Sequence, residues 1–243
     1  MSEVIFEVRD GVGWIQLNRP NKLNAMTNEL INQAIEAVEE IECRSDLVAM
    51  VLTGKGRGFC SGADTGLLFA TGEGGAPAVQ LDNRRVQQLT GRIFRMDVPT
   101  IAAVNGPAVG AGFELSLACD LRVATPSAFF QHAAMQNRLV SGDGSAFFLP
   151  RMIGLARSFD MLLTERRVMA EEARDIGLVR SVVPPDELEE EVQRLAQKIA
   201  LSGSAVAMTK EAVRLGLDVG DPEPVFAYLR LAVSRGRSEH DRS

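Results

Sequence analysis

The stretch that decides the fold is TIAAVNGPAVGAGFELSLACDLRVAT, residues 100–125. It opens with a continuous apolar run, residues 100–106, that is typical of a strand buried on both faces of a parallel sheet. A glycine-rich loop and an apolar segment with a single glutamate, Glu114, follow. Two further apolar runs, 121–125 and 128–132, then predict short strands. A buried strand therefore leads straight into the loop that precedes a carboxylate.

Glu114 is the first candidate functional residue. If the segment after Gly112 is helical, the residues three and four positions away on either side are glycine, alanine or leucine, and none has a side chain that can pair with a carboxylate. An apolar setting raises the pKa of a carboxyl group, which suits a group that exchanges protons near neutrality. The structural alternative is a buried ion pair with an arginine.

The chain before this stretch predicts alternating strands and helices. Residues 3–9 and 12–18 alternate in hydrophobicity on either side of Asp10-Gly11, which indicates a β-hairpin. Thr27 is placed to cap an amphipathic helix, and residues 47–54 indicate a buried strand. This order favours right-handed crossovers and a largely parallel sheet covered by helices.

Outside these strands the chain predicts mainly helices. A helix over about residues 78–96 is expected to end before Pro99. From about residue 145 the pattern is helical nearly to the end, with 187–200 and 205–217 the clearest amphipathic segments. This shift favours a core domain followed by a helical part that packs on a neighbouring subunit.

Composition excludes several classes of function. The net charge of −6 argues against broad binding to nucleic acid or to anionic membranes. No apolar run is long enough for a membrane span and the N-terminus does not resemble a secretory leader, so the cytoplasm is the expected compartment. Two histidines and three widely spaced cysteines predict no metal site.

Several loops have both a functional and a structural interpretation. The segments GFCSGAD (58–64) and GPAVGAG (106–112) can present backbone N–H groups to a ligand, as an oxyanion hole requires, or can simply make tight turns. Asp143 in SGDGSAFFLPR is either a turn or cap residue or a second carboxylate facing the cavity of Glu114. The basic residues of the loops, Lys22, Lys55 and Arg57, are either surface charges or contacts to ligand phosphates.

Two enzyme fingerprints are considered and disfavoured. GAGFEL (110–115) lacks the third glycine of a dinucleotide-binding turn, since Leu115 stands there. GFCSG (58–62) resembles a nucleophile elbow centred on Cys60, and its base would have to be His132. This cysteine-nucleophile alternative is weak because GKGRG separates the elbow from its strand.

Taken together, the chain resembles the crotonase superfamily, the enoyl-CoA hydratase and isomerase family. The segments that show the resemblance are NRPNKLNAM (18–26), GKGRGFCSGAD (54–64), TIAAVNGPAVGAGFELSLACDLRVAT (100–125) and LPRMIGLARSFDMLLTERRVMAEEARDIGLVRSVVP (149–184), in this order. The resemblance implies an α/β fold, a spiral of ββα repeats over residues 1–190. It also implies a helical C-terminal region, residues 191–243, used in trimers and often in hexamers made of two trimers.

The resemblance implies roles for particular residues. The substrate would be an acyl-CoA thioester, with no other cofactor and no metal, whose enolate oxygen is held by the backbone N–H groups of Ala63 and Ala111. Glu114 matches the first catalytic glutamate of hydratases. Contacts to CoA would come from Lys22, Leu23, Ser61 and Asp64.

One departure from the family pattern concerns the second catalytic glutamate, whose position is Ala134 here. Asp143 is a candidate to replace it, because some superfamily members, including a carbon–carbon bond hydrolase acting on cyclic β-diketones, have Gly-Asp-Gly in this loop. A hydratase-like lyase is the leading expectation. A double-bond isomerase and a carbon–carbon bond hydrolase that use Glu114 and Asp143 are the enzymatic alternatives. A non-catalytic acyl-CoA binder is the alternative of another class.

Overall fold

In the computed structural model, which describes residues 2–68, 81–135, 140 and 142–240, the chain begins with the predicted β-hairpin. Its two strands pair in antiparallel fashion from Val4↔Leu17 to Arg9↔Val12. Asp10 and Gly11 connect them with φ values of 47° and 77°. Two positive φ angles in a two-residue connection match the right-handed twist of the strands. The hairpin prediction is confirmed.

Nine strands are described, numbered in chain order. They are β1 (Val4–Arg9), β2 (Val12–Leu17), β3 (Ala49–Gly54), β4 (Thr100–Val104), β5 (Ala108–Val109), β6 (Leu121–Ala124), β7 (Phe129–Gln131), β8 (Val168–Met169) and β9 (Ser181–Val182). Ten described helices are α1 (Asn28–Cys43), α2 (Thr65–Leu68), α3 (Asn83–Arg95), α4 (Ala111–Ala118), α5 (Ser145–Ile153), α6 (Leu155–Thr164), α7 (Ala170–Asp175), α8 (Leu188–Ala200), α9 (Ala205–Asp218) and α10 (Glu223–His240).

The larger sheet has six strands in the order β1-β2-β3-β4-β6-β9. Every neighbouring pair after the hairpin is parallel. All residues of β3 and β4 are buried, as expected of strands covered by helices on both faces. The prediction of a largely parallel, helix-covered sheet is confirmed.

A second layer consists of short strands, of which β5 and β7 each follow a strand of the larger sheet, β4 and β6. Strands β5, β7 and β8 form a sheet in which β5 and β7 are parallel. Two isolated parallel bridges, Met26↔Ala63 and Cys60↔Ala108, repeat this pairing in earlier parts of the chain. Successive turns of chain thus supply a long strand, a short strand or bridge and a helix, which is the expected spiral of ββα repeats.

The helix signals are confirmed where they can be compared. The Thr27 hydroxyl accepts the N–H of Leu30 at 3.0 Å and caps α1. Helix α3 begins at Asn83 and is capped by Asp82, later than the predicted start at residue 78, which lies outside the described residues. It ends at Arg95, ahead of Pro99 as predicted.

The prediction of an entirely helical pattern after about residue 145 is wrong at two points. Strands β8 and β9, two residues each, pair with β7 and β6. Hydrophobic periodicity cannot reveal a strand of two residues, because such a strand exists only through its backbone pairing with distant chain.

The C-terminal helices pack in two different ways. Helix α8 buries Leu188, Val192 and Leu195 in a cluster with Trp14 and other side chains of the larger sheet. The boundary expected between residues 190 and 191 therefore falls inside a helix that covers the core. Helices α9 and α10 follow, and Lys210 Nζ anchors α9 by donating to Asp120 Oδ2 at 2.6 Å.

Candidate active site

Two glycine-containing loops lie side by side at the centre of the molecule. The N–H groups of Phe59 and Cys60 both donate to Pro107 O at 3.1 Å, and Val109 N–H donates to Cys60 O at 2.9 Å. A Cβ atom on Gly62 would lie 2.8 Å from Val109 O and 3.5 Å from Ala111 N. The loops approach this closely because Gly62 has no side chain and a φ of 88°.

The two alanines of the expected oxyanion hole, Ala63 and Ala111, each lie three residues beyond the parallel Cys60↔Ala108 bridge. In the bridge with Met26, hydrogen bonds run from Met26 N–H to Gly62 O and from Asp64 N–H to Met26 O. Because the bonds come from the residues on either side of Ala63, the N–H of Ala63 itself points away from Met26. Ala111 is the first residue of α4, so its N–H is one of those that a helix leaves without an internal acceptor.

A cavity of about 280 Å³ lies in front of both loops. Its described lining comes from several parts of the chain that are distant in sequence. The lining residues that matter most for chemistry are Ser61, Ala63, Ala111, Glu114, Ala134 and Asp143. The structure therefore brings both expected N–H donors and both expected carboxylates to one cavity.

Glu114 lies on α4, a helix whose eight residues are all buried. Glu114 is only 2% exposed, and burial raises the pKa of its carboxyl group to about 7. A hydrogen bond with the Ser145 hydroxyl opposes this rise, the charge of Asp143 adds to it, and backbone N–H groups of Asp143 and Ser145 again oppose it. The carboxyl group is therefore held in place and can gain or lose a proton near neutral pH.

Asp143 lies in the loop that leads into α5. It is not the cap of this helix, because the N-cap position is occupied by Gly144, whose φ is 131°. Burial raises the pKa of Asp143 to about 6. Its buried Oδ1 atom makes no hydrogen bond to any residue that the structure describes. Asp143 thus lines the same cavity as Glu114, and one oxygen of its carboxylate has no partner among the described residues.

Ser145 is a site residue that the sequence reasoning missed. It is fully buried at the N-terminus of α5, where its hydroxyl and N–H both contact the Glu114 carboxylate. A helix N-terminus favours a negative charge. The available signal was a hydroxyl residue directly after Gly-Asp-Gly at the start of a helical pattern.

Glu165 is the second residue that was missed, and it supports the part of the cavity wall that contains Ala134. Its Oε1 atom accepts the N–H groups of Ala134 and Met135, each at 2.6 Å, and lies 3.3 Å from Nδ1 of His132. Burial lowers the pKa of His132, against the opposing effect of the Glu165 charge. Glu165 has a φ of 51°, a conformation that a non-glycine residue seldom adopts.

The residues expected to contact CoA lie next to one another but differ in exposure to the cavity. Ser61 lines it, and its N–H and hydroxyl donate to Leu23 O at 2.9 Å and to Lys22 O at 3.2 Å. The Lys22 side chain is exposed at the surface beside this turn. The carboxylate of Asp64 is bound within the protein, by Arg19 at 3.0 Å and by the N–H of Gly66 at 3.0 Å.

The cysteine-nucleophile alternative is wrong. Cys60 is fully buried, and burial raises the pKa of its thiol to about 12, whereas the thiolate is the nucleophile. Its Sγ atom is 3.1 Å from Asn24 O, the acceptor of its hydrogen bond. In the part of the chain that the structure describes, no group of three or more acidic, histidine or cysteine side chains is arranged to hold a metal ion, and no helix is long and apolar enough to cross a membrane.

The raised pKa of Glu114 predicts an unusual dependence of stability on pH. Its pKa is about 7 in the folded protein and near 4.5 when the chain is unfolded, so between these values the folded state binds the extra proton. The contribution of Glu114 to the free energy of unfolding should therefore fall as pH rises from about 4 to 7. Between pH 4 and pH 8, the free energy of unfolding of Glu114→Gln should rise by roughly 3 kcal/mol relative to that of wild type.

Urea unfolding of both proteins at several pH values measures this difference. Asp46→Asn, which alters an exposed carboxylate paired with Arg44, is the control. Parallel pH curves for wild type and Glu114→Gln would contradict the raised pKa.

Comparison with known proteins identifies similar sequences and a similar structure. A family model described as enoyl-CoA hydratase/isomerase matches residues 7–239. The chain is 38% identical over 223 residues to the probable enoyl-CoA hydratase echA12 of Mycobacterium bovis, covering 88% of this chain and 78% of the relative. It is 36% identical over 198 residues to 4-chlorobenzoyl coenzyme A dehalogenase-1 of Arthrobacter sp, covering 80% and 71%. The crystal structure of an enoyl-CoA hydratase from Bacillus anthracis matches with a TM-score of 0.88 at 32% identity, covering 96% and 90%.

Proposed function

This chain belongs to the enoyl-CoA hydratase/isomerase family, and we propose that within it the protein is a hydratase-like lyase that adds water to an enoyl-CoA thioester. The observation that supports this proposal is that two carboxylates, Glu114 and Asp143, line one cavity with the residues of the two candidate N–H donors. A hydration needs one group to take a proton from water and another to give a proton to carbon. A pair of carboxyl groups can supply both.

In the proposed mechanism, the N–H groups of Ala63 and Ala111 bind the thioester oxygen. Negative charge develops on this oxygen as water adds to the β-carbon, so donors already in place lower the barrier. Losing one such donor costs about 3 to 4 kcal/mol in comparable sites. The geometry that supports this step is the close pairing of the two loops through Cys60, Pro107 and Val109.

The two carboxyl groups take different roles because their environments differ. Asp143, whose buried Oδ1 has no hydrogen-bond partner among the described residues, orients water and accepts its proton as the oxygen–carbon bond forms. Glu114, which lies on the buried helix α4 and is held by Ser145, donates a proton to the α-carbon as the enolate collapses. The two groups interact electrostatically, so the pair titrates as a unit and one shared proton is its active state near neutrality.

The rest of the substrate is placed by the turn next to the cavity. We expect the CoA moiety to pass Lys22, Leu23 and Ser61, because Ser61 lines the cavity and its N–H and hydroxyl donate to Leu23 O and Lys22 O. Lys22 is exposed there and can contact phosphate. Lys55 and Arg57 are exposed in the loop that follows β3 and add further positive charge.

Self-association belongs to the same proposal. Residues 191–243 are proposed as the oligomer-forming region of a homotrimer or of a hexamer of two trimers. The support is that α9 and α10 expose large apolar side chains, as does α6. These side chains are Leu155, Phe159, Leu163, Val213, Phe226, Leu231 and Val233. A monomer that leaves so many apolar side chains in water has a surface suited to burial between subunits.

Asp143→Asn tests the two-carboxylate mechanism. With short and medium enoyl-CoA esters as substrates, the variant should lose about 10²- to 10⁴-fold in kcat, because asparagine cannot accept a proton from water. Loss of the ultraviolet absorbance of the conjugated thioester measures hydration. The control is Asp46→Asn, whose side chain is paired with Arg44 at the surface.

The products decide between this reaction and the alternatives. Chromatography that finds a shifted double bond in place of a hydroxyacyl-CoA would identify an isomerase. Cleavage of a carbon–carbon bond in a β-diketone would identify the hydrolase. Tight binding of enoyl-CoA without turnover by wild type would overturn the catalytic proposal and identify an acyl-CoA binder.

A further inference from the structure

Asp64 directly follows Ala63, and its side chain is engaged inside the protein. One oxygen, Oδ2, lies 3.0 Å from Nη2 of Arg19, and the other accepts the N–H of Gly66 at 3.0 Å. Both partners of the ion pair are largely shielded, since the Arg19 side chain is 18% exposed and that of Asp64 is 20% exposed. Such a pair is screened less by water and salt than a surface pair.

Arg19 also holds the chain segment to which the Asp64 loop is paired. Its Nη1 atom donates to Ala25 O at 2.5 Å, and its Nε atom lies 3.2 Å from Glu3 Oε1. The N–H of Arg19 donates to the side chain of Asn24 at 2.8 Å. One arginine therefore holds the residue before Met26 and the residue after Ala63.

These contacts flank the bridge that determines the direction of the Ala63 N–H. Met26 is bonded to Gly62 O at 2.7 Å and to Asp64 N–H at 2.9 Å. The register of these two bonds turns the N–H of Ala63 to the opposite side of its chain. A shift of Asp64 relative to Met26 would change that direction.

We propose that the Arg19–Asp64 ion pair is a positioning element for the oxyanion hole, which fixes the N–H of Ala63 by clamping both chains of the Met26–Ala63 bridge. Asp64 acts through its neighbour and does not contact the substrate. This inference rests on the proposed function, because it assigns the Ala63 N–H to the thioester oxygen. It also replaces the expected role of Asp64 in binding CoA.

Asp64→Asn is the test, since asparagine keeps the size of the side chain and its acceptor for Gly66 but removes the charge that holds Arg19. A misplaced donor weakens the transition state more than the ground state, so kcat for enoyl-CoA should fall about 10- to 100-fold. The KM should stay within about threefold of wild type, because the contacts to the rest of the substrate are unchanged. A direct contact to CoA would give the opposite result, a raised KM at constant kcat.

A second readout does not require turnover. Acetoacetyl-CoA ionises to an enolate with its own ultraviolet band, and an oxyanion hole increases the enolate fraction of the bound ligand. We expect the enolate-to-keto ratio on Asp64→Asn to be about tenfold lower than on wild type. Arg19→Gln should lower it as much, and the double variant should lower it no further, because both residues act on one N–H.

Arg92→Gln is the matched control. Arg92 also bridges two elements through carboxylates, at 2.6 Å from Glu39 and 2.5 Å from Glu42, but it is not among the described residues that line the cavity. Its replacement should lower the melting temperature without changing kcat or the enolate ratio. If Asp64→Asn does not fold, Arg19→Lys, which keeps the charge but cannot span both chains, takes its place.

The outcomes separate this inference from the proposed function. Wild-type binding of acetoacetyl-CoA with a raised enolate fraction, together with an unchanged fraction and kcat in Asp64→Asn, would overturn the positioning role and leave the function standing. Wild type that neither binds nor ionises the ligand would overturn the function itself, and the positioning role with it.

Discussion

Replacing Glu114 with glutamine should lower kcat for enoyl-CoA by about 10³-fold or more, near the upper range for loss of a general acid or base. The side chain is nearly isosteric, so the cavity keeps its shape, but the amide cannot give a proton to the α-carbon. Burial and the contacts with Ser145 should hold a glutamine side chain at position 114 in the same place as the glutamate. The protein should remain folded, because no charge is left buried.

Single-turnover and steady-state kinetics on the same preparation measure this loss. Glu114→Asp is the matched variant, because it retains an ionisable carboxyl group one methylene further from the substrate, and it should keep more activity than Glu114→Gln. A glutamine variant with more than a tenth of wild-type kcat would show that Glu114 does not transfer the proton.

A large loss of stability is expected from Gly112→Ala. A Cβ atom at this position would lie 2.4 Å from Cys60 O, 2.6 Å from Cys60 Cβ and 2.7 Å from Cys60 Sγ. Backbone and a fully buried side chain occupy this space, so α4 must move away from the loop. Overpacking of this kind costs typically 1 to 3 kcal/mol and occasionally more, and we expect about 3 kcal/mol here.

Gly216→Ala is the control, because Gly216 also lies within a helix but its nearest obstacle is a methyl group of Val225 at 3.8 Å. Alanine favours a helix over glycine by about 1 kcal/mol, so this variant should be as stable as wild type or more stable. Urea unfolding measures the free energy of unfolding of both variants. Equal stabilities of Gly112→Ala and Gly216→Ala would mean that α4 and the Cys60 loop are not in contact.

Gly112→Ala should also affect catalysis, since it separates the two loops that contain Ala63 and Ala111. The contact of Gly112 with Cys60 is one of several that set the spacing of these loops. The acetoacetyl-CoA enolate ratio of any folded fraction should therefore fall. A stable fold and a normal ratio would together contradict this view of the site.

Much of the fold was predictable because its signals are local. The Asp10-Gly11 turn, the Thr27 cap and the apolar strand at β4 each follow from residues within a few positions of one another. Strands β8 and β9 were missed because two residues create no pattern. Their backbone partners lie far away in the chain.

The site was predictable in part for the same reason. Glu114 stands out as a charge in an apolar helix, and its burial is dictated by its neighbours in sequence. Ser145 and Glu165 gave no comparable signal. Their importance depends on which carboxylate or backbone N–H lies opposite them, and only the packing of α5 and of the turn after α6 decides that.

By itself, the sequence determined the alternation of strands and helices, the resemblance to the crotonase superfamily and the apolar surroundings of Glu114. Only the tertiary structure decided that Asp143 shares a cavity with Glu114, that Asp64 is bound to Arg19 and that Glu165 supports the wall at Ala134. The physical reason is the separation in sequence between the interacting residues. Periodicity and capping arise from interactions within a turn or two of chain, whereas these contacts join residues that are brought together only by the pairing of strands and the packing of helices.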